Sequence, residues 1–166
     1  MTEQLLYTSL ASFEAARSLV QAPAGHRSGR LHGHSFQAKV RTALPAGQVL
    51  FPGAEVSELR QQLANAVAPL DYQSLNERLP QPSDVHLARW LRDQLAWPGL
   101  ETLGIQSTGQ QGVDLGRAGH AHVWRRYGFE SAHQLPNVAQ GHKCGRMHGH
   151  GFEVILHAAL APGQDV

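Results

Sequence analysis

The chain has 166 residues, 42% of them hydrophobic, with 14 basic residues against 13 acidic ones and a net charge of +1; this is enough for one ordinary domain, or a small domain plus part of another. A charge so close to zero argues against a nucleic-acid surface that works by neutralising phosphates, and the arginines, spread along the chain, read as solvated surface. The single cysteine excludes an internal disulfide. With no basic segment followed by an apolar run at the start, and no eighteen apolar residues together anywhere, the expectation is a soluble, cytoplasmic protein without a membrane partner.

In chain order, residues 5 to 16 read as a strand and residues 20 to 30, rich in Gly, Ala and Pro, as a loop. From His34 to Ala43, Phe36, Ala38 and Val40 alternate with Gln37, Lys39 and Arg41, the pattern of a half-buried strand, and the two strands should form a long antiparallel pair. Pro45-Ala46-Gly47 breaks the second strand, and Pro52-Gly53 precedes a helix. Over Glu55 to Leu70, Val56, Leu59, Leu63, Val67 and Leu70 recur at three- and four-residue spacing, one apolar stripe of an amphipathic helix.

Ser83 is placed to cap a second helix over Asp84 to Ala96, with Leu87, Leu91, Leu95 and Trp90 on its buried side. Trp97-Pro98-Gly99 ends it. Thr102 to Thr108 then reads as a strand, a Gly/Gln-rich turn follows, and Gly119 to Arg126 reads as another strand. The unit is strand, strand, helix, helix, strand, strand, closing at about residues 116 to 125.

Chemistry concentrates between Phe129 and Phe152, where His133, Cys144, His148 and His150 fall within eighteen residues. His148 and His150 stand two apart, so on a strand both imidazoles point to one face; a neighbouring antiparallel strand would bring His133 to them. Three neutral imidazoles make a zinc site with its fourth position open, as in a catalytic zinc. Cys144, four residues before His148, would be a fourth ligand, or a thiolate base or nucleophile beside the ion. His120 and His122 also stand two apart but lack a third histidine and a thiol in a matching pattern.

An internal repeat accompanies the histidines. Phe13 to Gln48 aligns with Phe129 to Gln164 at a constant offset of 116, without a gap, with sixteen of thirty-six positions identical. His32-Gly33-His34 pairs with His148-Gly149-His150, but Arg17 stands opposite His133 and Ser28 opposite Cys144. A guanidinium stays protonated and offers no lone pair, so the first copy is expected to hold no catalytic metal.

The motifs Phe129-Glu130-Ser131-Ala132-His133, Leu135-Pro136 and Cys144-Gly145-Arg146-Met147-His148-Gly149-His150 closely resemble the 6-pyruvoyltetrahydropterin synthase and 6-carboxytetrahydropterin synthase family. Three residues between the cysteine and the His-Gly-His resemble the carboxytetrahydropterin branch, which serves queuosine synthesis. The first copy resembles the family along nearly its whole length. Leu70-Asp71-Tyr72 and Leu75-Asn76 fall at its Leu-Asp-His and Leu-Asn, and Ile105-Gln106-Ser107-Thr108 falls where a glutamate anchors the pterin ring. Tyr72 thus replaces the histidine of the catalytic Asp-His pair, and Gln106 the anchoring glutamate.

The resemblance implies an α+β tunnelling fold, an antiparallel sheet with two helices on one face (ββααββ). Here residues 1–118 would form a degenerate unit, and residues 119–166 the first hairpin of a second. It implies a zinc lyase acting on 7,8-dihydroneopterin triphosphate, with zinc on His133, His148 and His150, Cys144 moving a proton, Asp71 as the other catalytic residue and Gln106 contacting the pterin. Family members assemble as rings with sites between subunits, so a homo-oligomer is expected. The second unit's helices, Asp-His pair and pterin anchor would lie beyond Val166, which points to a fragment of a tandem protein or to parts supplied from elsewhere. A bare hairpin leaves strand edges unpaired. A non-catalytic scaffold or pterin-binding subunit is the alternative from another class; a cyclohydrolase acting on GTP fits the histidine and cysteine arrangement poorly.

Overall fold

The computed structural model describes residues 6–43, 54–161 and 164. The expected breaks at Pro45-Ala46-Gly47 and Pro52-Gly53, and the far ends of the repeat, lie outside them. In chain order come β1 (Leu6–Arg17), β2 (His32–Ala43), α1 (Ala54–Val67), the two-residue β3 (Gln73–Ser74), α2 (Asp84–Leu95), β4 (Leu100–Thr108), β5 (Gln111–Gly116), β6 (Ala121–His133) and β7 (His148–Ala159). One sheet of order β3-β1-β2-β4-β5-β6-β7 contains every strand among the described residues, and all its pairings except the short parallel β1–β3 contact are antiparallel.

Residues paired across an antiparallel ladder point to the same side, so the register fixes two continuous faces. One row runs Ala11, Ala38, Ile105, Val113, Val123, Ala158. On this side Phe13, Phe36, Val40, Leu103, Ile105, Val113 and Leu115 are buried with Leu59 and Leu63 of α1 and Leu87 and Leu91 of α2. Each such side chain contributes roughly 1.5–3 kcal/mol on leaving water, so the apolar stripes of the helices and the alternation of the strands define one core. Phe13 and Phe36 stack at its centre, rings 5.0 Å apart and 8° from parallel.

The expected helices are present with shifted ends. Helix α1 stops at Val67 rather than Leu70, because Pro69 brings no N–H and the chain tightens into a 3-10 turn over Ala68–Leu70. At α2, Ser83 Oγ accepts from the His86 N–H at 3.3 Å as the expected N-cap. Ala96 closes the helix in the left-handed region at φ +41°, its N–H bonded to the Arg92 carbonyl. Trp90 and Trp97 pack at the edge of the core.

The sheet moves the second strand expected after α2. Gly109 and Gln110 alone make the turn after β4, and the stretch taken for a loop contains β5, a short strand with Gly112 and Gly116 in it. The strand expected over Gly119 to Arg126 is the first half of β6, which runs on to His133. The fourth strand of the ββααββ unit is therefore Gln111–Gly116. Glycine weakens the side-chain alternation by which a strand is read. Here it is required: a Cβ on Gly112 would lie 2.5 Å from the Ile105 carbonyl and 2.6 Å from the Trp124 ring.

The β6–β7 hairpin continues the helix-bearing face but passes beyond the helices. Pairing with β5 covers only Ala121 to Arg125, and the ribbon from Tyr127 onward projects past it. On that ribbon Phe129 and Phe152 stack as Phe13 and Phe36 do, 5.2 Å apart, yet they are 52% and 38% exposed. No helix among the described residues is long and apolar enough to cross a membrane.

Candidate metal centre

The far end of the hairpin carries the histidines. His133 lies directly across from His148, and His150 across from Ser131, so all three imidazoles leave the sheet on one side. Ring centroids are 4.7 Å apart for His133 and His148 and 4.8 Å for each pair with His150; the rings meet edge to face. One nitrogen from each lies within 4.8 Å of the others, and among the described residues this is the one group of three or more potential metal-ligating side chains.

The local chemistry suits an ion. His148 Nδ1 lies 2.7 Å from the Arg146 carbonyl, which can only accept, so Nδ1 carries the proton and Nε2 keeps its lone pair for the open side. A backbone acceptor behind a ring is the usual support of a metal-ligating histidine. Three imidazole nitrogens on one side of the hairpin match a tetrahedral site that keeps one position free. The residues present therefore fit a metal ion.

Cys144 sits in the 3-10 turn Lys143–Gly145 before β7 and is not in the histidine group. Its N–H donates to His142 Nδ1 at 3.1 Å, and its carbonyl accepts from the Leu135 N–H at 2.9 Å. The first hairpin has the same contacts 116 residues earlier: Ser28 N–H to His26 Nδ1, and Leu19 N–H to the Ser28 carbonyl. The loop thus has the same form whether it presents a thiol or a hydroxyl.

The remaining expected site residues lie elsewhere. Asp71 accepts from the Glu14 N–H at 2.8 Å, and Tyr72, in the left-handed region at φ +54°, donates its N–H to the Glu14 carbonyl at 2.6 Å. This clamp fixes Asp71 beside β1 at one edge of the sheet. The histidines are on the other edge, four strand spacings from β1 to β6, on the order of 20 Å. Gln106 is on β4, directly across from Gln37 and next to the buried Ile105, so it faces away from the helices and the histidines. Within one chain, Asp71, Gln106 and the histidine group do not meet.

The first hairpin shows what replaced the third histidine. Arg17 is 3% exposed and donates to the Pro82 carbonyl at 2.9 Å and to Asp84 Oδ1 at 2.7 Å; Ser107 Oγ donates to Asp84 Oδ2 at 2.7 Å. The guanidinium also lies 5.0 Å from the centre of the Phe36 ring. Burial pushes His34 below its ordinary pKa of 6.5, the nearby charges of Arg17 and His32 push the same way, and Asp84 opposes them. Sequence reasoning found neither this ion pair nor the carbonyl behind His148. The offset of Arg17 from His133 marks the changed position, but only the fold brings Asp84 to it.

Residues 7–107 match the family described as 6-pyruvoyl tetrahydropterin synthase, a stretch running from β1 into β4; the histidine group lies beyond it. Among solved structures, the chain is similar to the 6-pyruvoyl tetrahydropterin synthase of Caenorhabditis elegans, at 16% identity and a TM-score of 0.50, over 66% of this chain and 94% of that one. The Plasmodium falciparum enzyme of the same name is matched at 16% identity and a TM-score of 0.44, over 68% and 97%. At such identity the likeness to the nematode protein is one of fold: two helices on a mostly antiparallel sheet. With the family match spanning more than half of its residues, the chain belongs to the 6-pyruvoyl tetrahydropterin synthase family.

Proposed function

We propose that this protein is a zinc-dependent pterin lyase of the 6-carboxytetrahydropterin synthase type. It would convert 7,8-dihydroneopterin triphosphate and one water to 6-carboxytetrahydropterin, acetaldehyde and triphosphate, in queuosine synthesis. The observation that carries the reading is the convergence of His133, His148 and His150 on one side of the β6–β7 hairpin in a chain of this family. Residues 1–118 are read as a degenerate unit and 119–166 as the first hairpin of a second. The turn between β5 and β6 and the matching loop contacts at an offset of 116 support that division.

A zinc ion held by the three histidines would supply Lewis-acid polarisation of hydroxyls on the substrate side chain. The rest falls to the chain's own groups. The Arg146 carbonyl holds His148 in the tautomer that leaves Nε2 free. Cys144, as thiolate, takes or returns the proton of the side chain being cleaved. Asp71 assists that transfer, and Gln106 pairs with the edge of the pterin ring. Because Asp71 and Gln106 lie away from the histidines in one chain, their roles require a homo-oligomer in which neighbouring copies complete the site.

That same separation favours a second reading, a non-catalytic subunit that scaffolds a ring or binds a pterin without turning it over. Incubation of the purified, zinc-loaded chain with 7,8-dihydroneopterin triphosphate decides between them. Acetaldehyde release that Cys144→Ala abolishes is the expected result; zinc bound with no acetaldehyde would establish the scaffold.

A further inference from the structure

Arg17, His32 and His34 stand 116 residues before His133, His148 and His150, and the two hairpins hold these positions alike. Arg17 lies directly across from His32 in the β1–β2 ladder, as His133 does from His148 in β6–β7. His32 Nδ1 lies 2.7 Å from the Arg30 carbonyl, the distance from His148 Nδ1 to the Arg146 carbonyl. The rings of each His-Gly-His meet edge to face with centroids 4.8 Å apart. Two thirds of a three-imidazole set is thus kept in place in the first hairpin, down to the backbone acceptor that leaves His32 Nε2 free.

The third position holds a guanidinium in place of a lone pair. Its Nη2 is 3.5 Å from His34 Nε2, while Nη1 bonds to Asp84 and to the Pro82 carbonyl at the start of α2. We propose that the first hairpin is a metal-binding framework whose cation is built in. The Arg17 guanidinium, across from His32 and beside His34, takes the place that a third imidazole holds in the other hairpin, keeps divalent metal out, and joins β1 to α2 through Asp84.

The charge logic is local. Arg17 stays protonated at any working pH and can ligate nothing, so a divalent ion arriving beside it meets a fixed positive charge and one donor too few. Asp84, 14% exposed at its side chain, is balanced by that guanidinium and by the Ser107 hydroxyl. Among the described residues His32, His34 and Asp84 do not form a group close enough to hold an ion, so removing the guanidinium alone leaves two oriented imidazoles and one donor too few. An imidazole at position 17 would complete the register seen at His133, His148 and His150.

The test is zinc content and Co(II) absorption of five forms of the 166-residue chain: wild type, Arg17→His, His148→Ala, the double variant of these two, and Arg17→Lys. Arg17→His should bind one ion more than wild type, keep that extra ion when His148→Ala is added, and melt at a higher temperature with zinc than without. Arg17→Lys, which keeps the charge, should add no ion. An Arg17→His chain that is unfolded alone and folds on adding zinc gives the same answer; one that stays unfolded with zinc, or folds without an added ion, overturns the proposal. So does an ion retained by the single variant His148→Ala at His32 and His34, read from their imidazole resonances. Wild type without metal and Arg17→His with one ion would leave this inference standing and remove the reading of His133, His148 and His150 as a zinc site.

Discussion

Arg17 donates to Asp84 at 2.7 Å across the gap between the end of β1 and the first turn of α2, and it is nearly sealed from water. The two residues are 67 positions apart, so the bond ties together elements that the chain visits separately. Asp84→Asn keeps the shape but leaves the guanidinium without a counter-charge. Losing one partner of a buried pair costs about 3–5 kcal/mol; with Asp84 partly exposed, about 3 kcal/mol is expected, read from urea unfolding. A loss below about 1 kcal/mol would place the pair among surface salt bridges.

The two stacked phenylalanine pairs should respond differently to truncation. Phe36 is 1% exposed in the core, so Phe36→Ala should cost about 3–5 kcal/mol through lost burial and the cavity left behind. Phe152, its counterpart at an offset of 116, is 38% exposed on the ribbon, and Phe152→Ala should cost less than about 1.5 kcal/mol. Equal losses in urea unfolding would mean that Phe152 is covered in solution.

His34 gives the first unit a pH dependence. Its folded pKa lies below the ordinary 6.5, so on acidification the unfolded chain takes up the proton first and stability falls as pH drops below about 6.5. Above that value both states are neutral at this ring and it contributes nothing. His34→Gln should flatten the fall in urea midpoint between about pH 7.5 and pH 5.5. An unchanged slope would show that Arg17 and burial do not act on this imidazole.

Gly112→Ala should destabilise by about 1–3 kcal/mol. The added Cβ meets the Ile105 carbonyl, which is backbone and cannot step aside, as well as the Trp124 ring. Gly109→Ala, with nothing within 4 Å of its Cβ, is the control and should be neutral in thermal melting.

The fold was readable where side chains carry a period. The Leu stripes at three and four, the Phe36-Ala38-Val40 alternation and the Ser83 cap each specify an element from a few residues. Two histidines two apart, with a third on a neighbouring antiparallel strand, sufficed to bring the three imidazoles to one face, and the structure sets His133 directly across from His148. What could not be read depends on long-range placement. Strand β5 hides behind its glycines, and the Arg17–Asp84 pair spans two elements with no local sign. Asp71 and Gln106 were read as parts of one site, yet whether they share it within a chain depends on the order of strands in the sheet, which no motif states.

Zinc content per chain, measured by mass spectrometry after dialysis for the wild type and for His148→Ala, tests the central claim most directly. One zinc in the wild type and none in the variant is the expected result, since His148 is the imidazole whose tautomer the Arg146 carbonyl sets. Equal zinc in both, or none in either, would contradict a metal centre at His133, His148 and His150.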